Sequence, residues 1–145
     1  VPEEEYVIPL GKADIVKAGE DVTIVAISTM IDKTLNALSD NDMDASVEII
    51  DPMTLYPLDI HTIIQSVQKT GRLIVAEEAH MTCNAGAEIA AQVCQNAFEY
   101  LKAPIQRVAT KDVAHPFSPT LENAMLPNEQ DIKDAIGTVL NKGKK

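Results

Sequence analysis

Glu77, Glu78, His80 and Cys83 fall within seven residues, in the stretch EEAHMTC, and are the side chains of this chain most suited to acid–base or nucleophilic chemistry. Two carboxyl groups can share the roles of general acid and base across one bond. Neighbouring residues of a strand point to opposite faces, however, so Glu77 and Glu78 cannot flank one bond while a strand runs through them. They read as solvated carboxylates at a strand end, or else as a helix cap or half of an interface salt bridge. His80 is the candidate ligand contact or proton carrier, because imidazole titrates near neutral pH. The sequence places no partner within its hydrogen-bond reach. His61 falls on the polar side of a helical pattern and His115 in a late loop, and both read as surface histidines.

The two cysteines, Cys83 and Cys94, form neither a CxxC redox pair nor a zinc-ligand spacing. Unpaired thiols in a reducing compartment are the simplest account. Cys83 has no basic neighbour in sequence to lower its pKa, and Cys94 reads as a packed core or interface thiol. Ser118 is outside any GxSxG elbow. No GxGxxG follows a strand and no GxxxxGK[ST] occurs, so no dinucleotide or nucleoside triphosphate cradle is supported. On its residues alone the chain reads as a noncatalytic α/β module. A ligand-binding module using strand-exit loops, and an enzyme acting through His80 with Glu77 or Glu78, remain as alternatives.

The elements that would position these groups follow from hydrophobic pattern. At 145 residues the chain is about one domain long. Residues 13–17 and a short turn precede 22–27 (VTIVAI), a β-branched run typical of a strand buried on both faces. So short a link cannot carry a parallel crossover, so the first strand is expected to run antiparallel to the second, at an edge. Ser28 and Thr29 are helix N-cap candidates, with Ile31, Leu35 and Leu38 as the apolar stripe of the helix they open, and Asn41, Asp42 and Asp44 end it. Residues 45–50 form the next strand. A rigid loop with Pro52 and Pro57 leads to a helix capped by Asp59, lined by Ile60, Ile63, Ile64 and Val67 and stopped at Gly71.

Residues 72–76 form a further strand, with Glu77 to His80 as its exit. A helical pattern over residues 85–101 carries a ridge of small residues, Gly86, Ala90, Cys94 and Ala97, which permits close approach by a partner. Residues 105–109 make the last strand. A long loop with His115, Pro116, Phe117 and Ser118 then leads to a final helix lined by Ile132, Ala135, Ile136, Val139 and Leu140. The expected fold is a three-layer α/β/α sandwich with five strands, one of them antiparallel, and four helices.

Composition limits the partners. A net charge of −10 argues against an unaided grip on nucleic acid or on anionic membrane surfaces, and favours a basic protein partner. No apolar run reaches the roughly 18 residues needed to span a bilayer. The lead VPEEEYVIPL is extended, punctuated by proline and lacks an initiator methionine, which suggests a linker cut from something longer.

The run IDPMTLYPLDIHTIIQSVQKTGRLIVAEEA (residues 50–79), flanked by IPLGKADIVKAGEDVTIVA, NAGAEIAAQV, LKAPIQRV and PFSPTLENAMLP, resembles one domain along nearly the whole chain. That domain is the C-terminal one of the beta subunit of thiamine-diphosphate-dependent 2-oxo acid dehydrogenases, those of the pyruvate, branched-chain and acetoin complexes. The resemblance implies a transketolase C-terminal-like domain over residues 12–141. Residues 1–11 would then be the linker from a preceding pyrimidine-binding domain, and 142–145 a basic tail. It further implies that thiamine diphosphate, its magnesium and the catalytic residues lie elsewhere in the full enzyme, with no catalytic, cofactor or metal residue in this chain. The expected role is assembly, with a second beta subunit, an alpha subunit and the dihydrolipoyl acyltransferase core as partners, in bacterial cytoplasm or the mitochondrial matrix. Gly86, Ala90, Cys94, Ala97, Glu77, Glu78 and His80 are the expected contact residues. The chain departs from many relatives at Thr82-Cys83-Asn84-Ala85-Gly86, which has one glycine where two are common, and at Ala114-His115-Pro116 in place of Pro-x-Pro.

Overall fold

The β-branched runs form the middle of a five-stranded sheet, and the segments between them fold back as helices. The computed structural model describes residues 3–39 and 44–141. In chain order the elements are β1 (Asp14–Lys17), β2 (Val22–Ala26), α1 (Met30–Ala37), β3 (Val47–Asp51), α2 (Ile60–Thr70) and β4 (Leu73–His80). They continue with α3 (Ala85–Ala97), a 3-10 turn (Phe98–Tyr100), β5 (Gln106–Thr110), α4 (Pro119–Met125) and α5 (Glu129–Asn141). The strand order is β1-β3-β2-β4-β5, and β1 alone runs antiparallel to its neighbour. No helix among the described residues is long and apolar enough to cross a membrane.

Alternation along the strands sorts two cores. Val22, Ile24 and Ala26 of β2, with Ile74 and Ala76 of β4, pack against Met30 and Ala37 of α1 and Ile132, Ile136 and Val139 of α5. Val25, Leu73 and Val75 face the other way, onto Ile63 and Val67 of α2 and Ile89, Val93 and Ala97 of α3. The result is three layers, as the pattern predicts. Polar groups in the second core are matched. Thr23 Oγ1 lies 2.6 Å from Ser66 Oγ and 2.8 Å from Thr70 Oγ1. Glu48, 2% exposed, accepts from Lys69 Nζ at 2.5 Å and Gly19 N at 3.3 Å. Burial pushes the Glu48 carboxyl up, but Lys69, Ser66 and the Gly19 amide outweigh it and hold the pKa below its ordinary value.

The expected caps of α2 are present. Asp59 Oδ1 accepts from Thr62 N at 3.2 Å, and Gly71, at φ +75, donates to Val67 O in the left-handed C-cap that glycine adopts without strain.

Several expectations need correction. Strand β1 runs antiparallel to β2 and lies at an edge, as expected, but its hydrogen-bonded neighbour is β3, which lies between them. The fully buried residues of α1 are Met30, Thr34 and Ala37; Ile31 and Leu38 of the expected stripe pack half-buried against the same core, and Leu35 does not. Thr34 can be buried because its hydroxyl donates to Met30 O at 2.6 Å, and Leu35 is left exposed. The helix predicted over 85–101 leaves α geometry after Ala97 for the 3-10 turn, ahead of the predicted stop at Ala103-Pro104. A fifth α-helix, α4, lies in the segment read as loop, with Ser118 at its N-cap and Pro119 inside its first turn. Asn41, Asp42 and the basic tail, residues 142–145, lie outside the described residues.

Candidate functional site

The sheet continues one turn of side chains further than its sequence suggests, and this decides where the carboxylates go. Pairing with β5 carries β4 through to His80, opposite Thr110. Glu77 therefore follows Leu73 and Val75 onto the α3 face and is 3% exposed, which corrects its expected place among solvated strand-end carboxylates. Its Oε1 accepts from Gly86 N at 2.7 Å. A Cβ on Gly86 would overlap that oxygen and press on Val75 Cγ1 at 3.0 Å, so only glycine lets the carboxylate reach the start of α3. Burial pushes the Glu77 carboxyl up, offset in part by the Gly86 amide, the Arg107 charge and the Ala85 amide.

Arg107 of β5 fastens the connecting loop. Its Nη2 donates to Met81 O and, at 2.6 Å, to Asn84 Oδ1. Asn84 is the N-cap of α3, with Oδ1 also accepting from Ala87 N at 3.0 Å. Between these anchors Cys83 takes the left-handed conformation at φ 59. Asn84 Nδ2 and Arg107 Nε are buried without a hydrogen-bond partner among the described residues, so the cluster is held at a polar cost.

Glu78 points the other way, toward α1, where Lys33 Nζ donates to its Oε1 at 2.9 Å and to Pro127 O at 2.9 Å. Lys33, then Thr29, hold the Glu78 carboxyl below its ordinary range. His80 is exposed, and its Nε2 lies 3.0 Å from Val113 O. Thr82 donates to both Asp112 oxygens, at 3.2 and 2.7 Å, and holds that carboxyl low. Glu77 and Glu78 thus sit on opposite faces and His80 meets a main-chain carbonyl, so the three form no acid–base constellation. His61 is exposed, and His115, also exposed, pairs with Glu122 at 2.9 Å. No group of three or more His, Cys, Asp or Glu among the described residues could hold a metal ion.

The small-residue ridge divides. Gly86 and Ala97 face the domain's own core with Ile89 and Val93, Ala90 is half-buried, and Cys94 is exposed and so not a core thiol. Ala90, Ala91 and Cys94 instead form one wall of an open apolar groove of about 620 Å³. Phe98, Pro104, Ile105 and Arg107 also line it. Phe98 is 70% exposed. The sequence hinted at this groove through the ridge, but the contributions of Phe98, Ile105 and Arg107 come from folding the 3-10 turn and β5 beside α3. One signal for Arg107 was available: it is the single charged residue in the strand pattern IQRVA.

At the carboxyl ends of β2 and β3, Ser28 (φ 59) and Met53 (φ 56) also occupy the left-handed region. They line a smaller recess of about 270 Å³ with Asp51, Pro52 and Leu55.

Residues 11–132 match the family described as transketolase, C-terminal domain. The chain belongs to that family. This transketolase C-terminal domain is 44% identical over 133 residues to the pyruvate dehydrogenase E1 component subunit beta of Staphylococcus epidermidis. It is 43% identical over 133 residues to the subunit of the same name from Staphylococcus aureus. Each match covers 91% of the domain's chain and 41% of the relative, so the chain spans about two fifths of the length of these curated relatives. Among solved structures, one described as a split gene transketolase, inactive beta4 tetramer, superposes with a TM-score of 0.81 at 24% identity. That superposition covers 97% of this transketolase C-terminal domain and 45% of the other chain, and it shows a shared fold.

Proposed function

We propose that the chain is the C-terminal assembly domain of the beta subunit of a thiamine-diphosphate-dependent 2-oxo acid dehydrogenase of the pyruvate dehydrogenase type. In this reading residues 1–11 are the linker from a preceding pyrimidine-binding domain. The observation that carries it is the pairing of a 44% identical pyruvate dehydrogenase beta subunit with an α3 face built for contact. That face has an apolar groove walled by Ala90 and Cys94 and an exposed Phe98 beside it. An uncovered apolar surface of this kind supports the reading as a contact face.

The partners of the whole protein are a second beta subunit, an alpha subunit and an acyltransferase core, in bacterial cytoplasm or the mitochondrial matrix. The whole protein oxidatively decarboxylates a 2-oxo acid and passes the acyl group to lipoyl carriers. Thiamine diphosphate with magnesium would supply the carbanion-stabilising chemistry of that reaction in the whole protein. No cluster of His, Cys, Asp or Glu among the described residues fits that metal, and we assign no residue of this chain to the cofactor. The chain's own contribution is to hold the subunits in register. Glu77 and Gly86 set the start of α3, and through it the position of the groove wall.

A titration calorimetry experiment with thiamine diphosphate and magnesium tests the division of labour. The prediction is heat of dilution alone, and saturable micromolar binding to this chain would overturn it. The left-handed Ser28 and Met53 favour one second reading, a small-ligand site at the β2 and β3 exits, since strained residues collect at such sites.

A further inference from the structure

Phe117 stands clear of the domain that carries it. It is 104% exposed, with Leu121 at 59% and Val113 at 52%, so these apolar side chains bury little against their own chain. The backbone beneath them is nonetheless fastened. His80 Nε2 lies 3.0 Å from Val113 O, Thr82 donates to Asp112, Lys111 Nζ donates to Ala124 O at 3.1 Å, and His115 meets Glu122 at 2.9 Å. Phe117 immediately precedes Ser118, the N-cap of α4, and Leu121 lies in the first turn of that helix. An exposed aromatic on a fastened backbone loses little freedom when a partner covers it, which suits it to be an anchor.

The groove on α3 has the complementary character. Its volume of about 620 Å³ has room for more than one large side chain, and Lys102 and Arg107 are the charged residues of its lining. The acceptors of those two cations are neutral oxygens, Thr70 O for Lys102 and Met81 O and Asn84 Oδ1 for Arg107. No carboxylate lies within ion-pair distance of either among the described residues. The knob carries the opposite sign, since Asp112 and Glu122 flank it in the chain and are not tied to any Lys or Arg by an ion pair among the described residues. Phe117, being fully exposed, does not fill the groove of its own chain.

We propose that the α3 groove receives the Phe117 and Leu121 knob of a second copy of this chain, with that copy's Asp112 and Glu122 approaching Lys102 and Arg107. The proposal rests on the assembly reading and deepens it by naming the two patches that meet. A groove-to-groove contact would instead set the Lys102 and Arg107 charges of two copies against each other. Because knob and groove are different patches, each copy offers its knob to one neighbour and its groove to another, or both to the same neighbour where the rotation is two-fold.

The test is sedimentation of the whole chain with a knob variant, Phe117→Asp, and a groove variant, Ala91→Glu, alone and mixed. Both positions are exposed, so unchanged urea midpoints are expected. Each variant alone should associate about 30-fold more weakly than the parent or worse, the loss that follows removal of an anchor from an interface. An equimolar mixture should sediment as a heterodimer, because Ala91→Glu keeps its knob and Phe117→Asp keeps its groove. If Phe117→Asp lowers the urea midpoint, Leu121→Asp takes its place in the same mixture. A Phe117→Asp chain that associates as the parent does, or a mixture that sediments as the sum of its separate components, overturns the proposal. A parent that associates through Ala91 but not through Phe117 leaves the assembly reading standing and removes only this contact, whereas a monomeric parent overturns both.

Discussion

Glu77 Oε1 and the Gly86 amide nitrogen are 2.7 Å apart, at a point where any side chain on residue 86 would occupy the carboxylate's position. Gly86→Ala should therefore displace either Glu77 or the start of α3. Overpacking of this kind costs about 1–3 kcal/mol, read as a lowered urea midpoint with unchanged m. Glu77→Ala in the same background should recover part of the loss by making room for the new methyl group.

Acid should unfold the domain through carboxylates on the opposite side of the balance from Glu77. Glu48, Asp59 and Glu78 all have pKa values held below their ordinary ones. For Asp59, burial acts upward but the Ala13 amide, the Thr62 hydroxyl and amide, and Lys12 outweigh it. A lowered carboxyl contributes stability that is fully present above its unfolded value and is lost as pH falls through the folded one. For the two glutamates the loss begins near 4.5, and for Asp59 near 3.8. Glu77, raised, has the reverse sign: its contribution improves as pH falls toward 4.5. Urea midpoints between pH 7 and 3 should thus hold or rise slightly at first and then drop steeply. In Lys69→Met the Glu48 share of that drop should disappear, because the main partner lowering Glu48 is gone.

The hydroxyl cluster between β2 and α2 should be costly to break. Thr23→Val takes the 2.6 Å partner from Ser66 Oγ and the 2.8 Å partner from Thr70 Oγ1, leaving Ser66 with Glu48 and Thr70 with Arg72 O, and each hydrogen bond so lost costs about 0.5–1.5 kcal/mol. The double variant Thr23→Val with Ser66→Ala should be less destabilised than the sum of the two single changes, as measured by a double-mutant cycle in urea.

The layers were legible because their causes are local. β-branched runs mark strands buried on both faces, and Asp59 and Gly71 bracket α2 with residues that suit its two ends. On α1 the expected Ile31 and Leu38 pack against the core, but pattern reading counts Leu35 as core and Thr34 as surface. The fold reverses this by giving the Thr34 hydroxyl the carbonyl of Met30. The site was only partly legible. Opposite facing of Glu77 and Glu78 follows from strand geometry, but burial of Glu77 depends on β5 extending β4 to His80, and on a glycine nine positions later in the chain. The clamp from Arg107 to Met81 and Asn84 spans 26 and 23 residues, and no periodicity reports such a contact.

The central claim, that the α3 face is a subunit contact, is tested most directly by sedimentation of the chain against Ala91→Glu. Ala91 is exposed in the groove wall, so the change adds a charge to the contact face without disturbing the core. The parent chain should self-associate with rising concentration, and Ala91→Glu should sediment as a monomer with an unchanged urea midpoint. A parent that remains monomeric at its highest soluble concentration, or a variant that associates as the parent does, would contradict the claim.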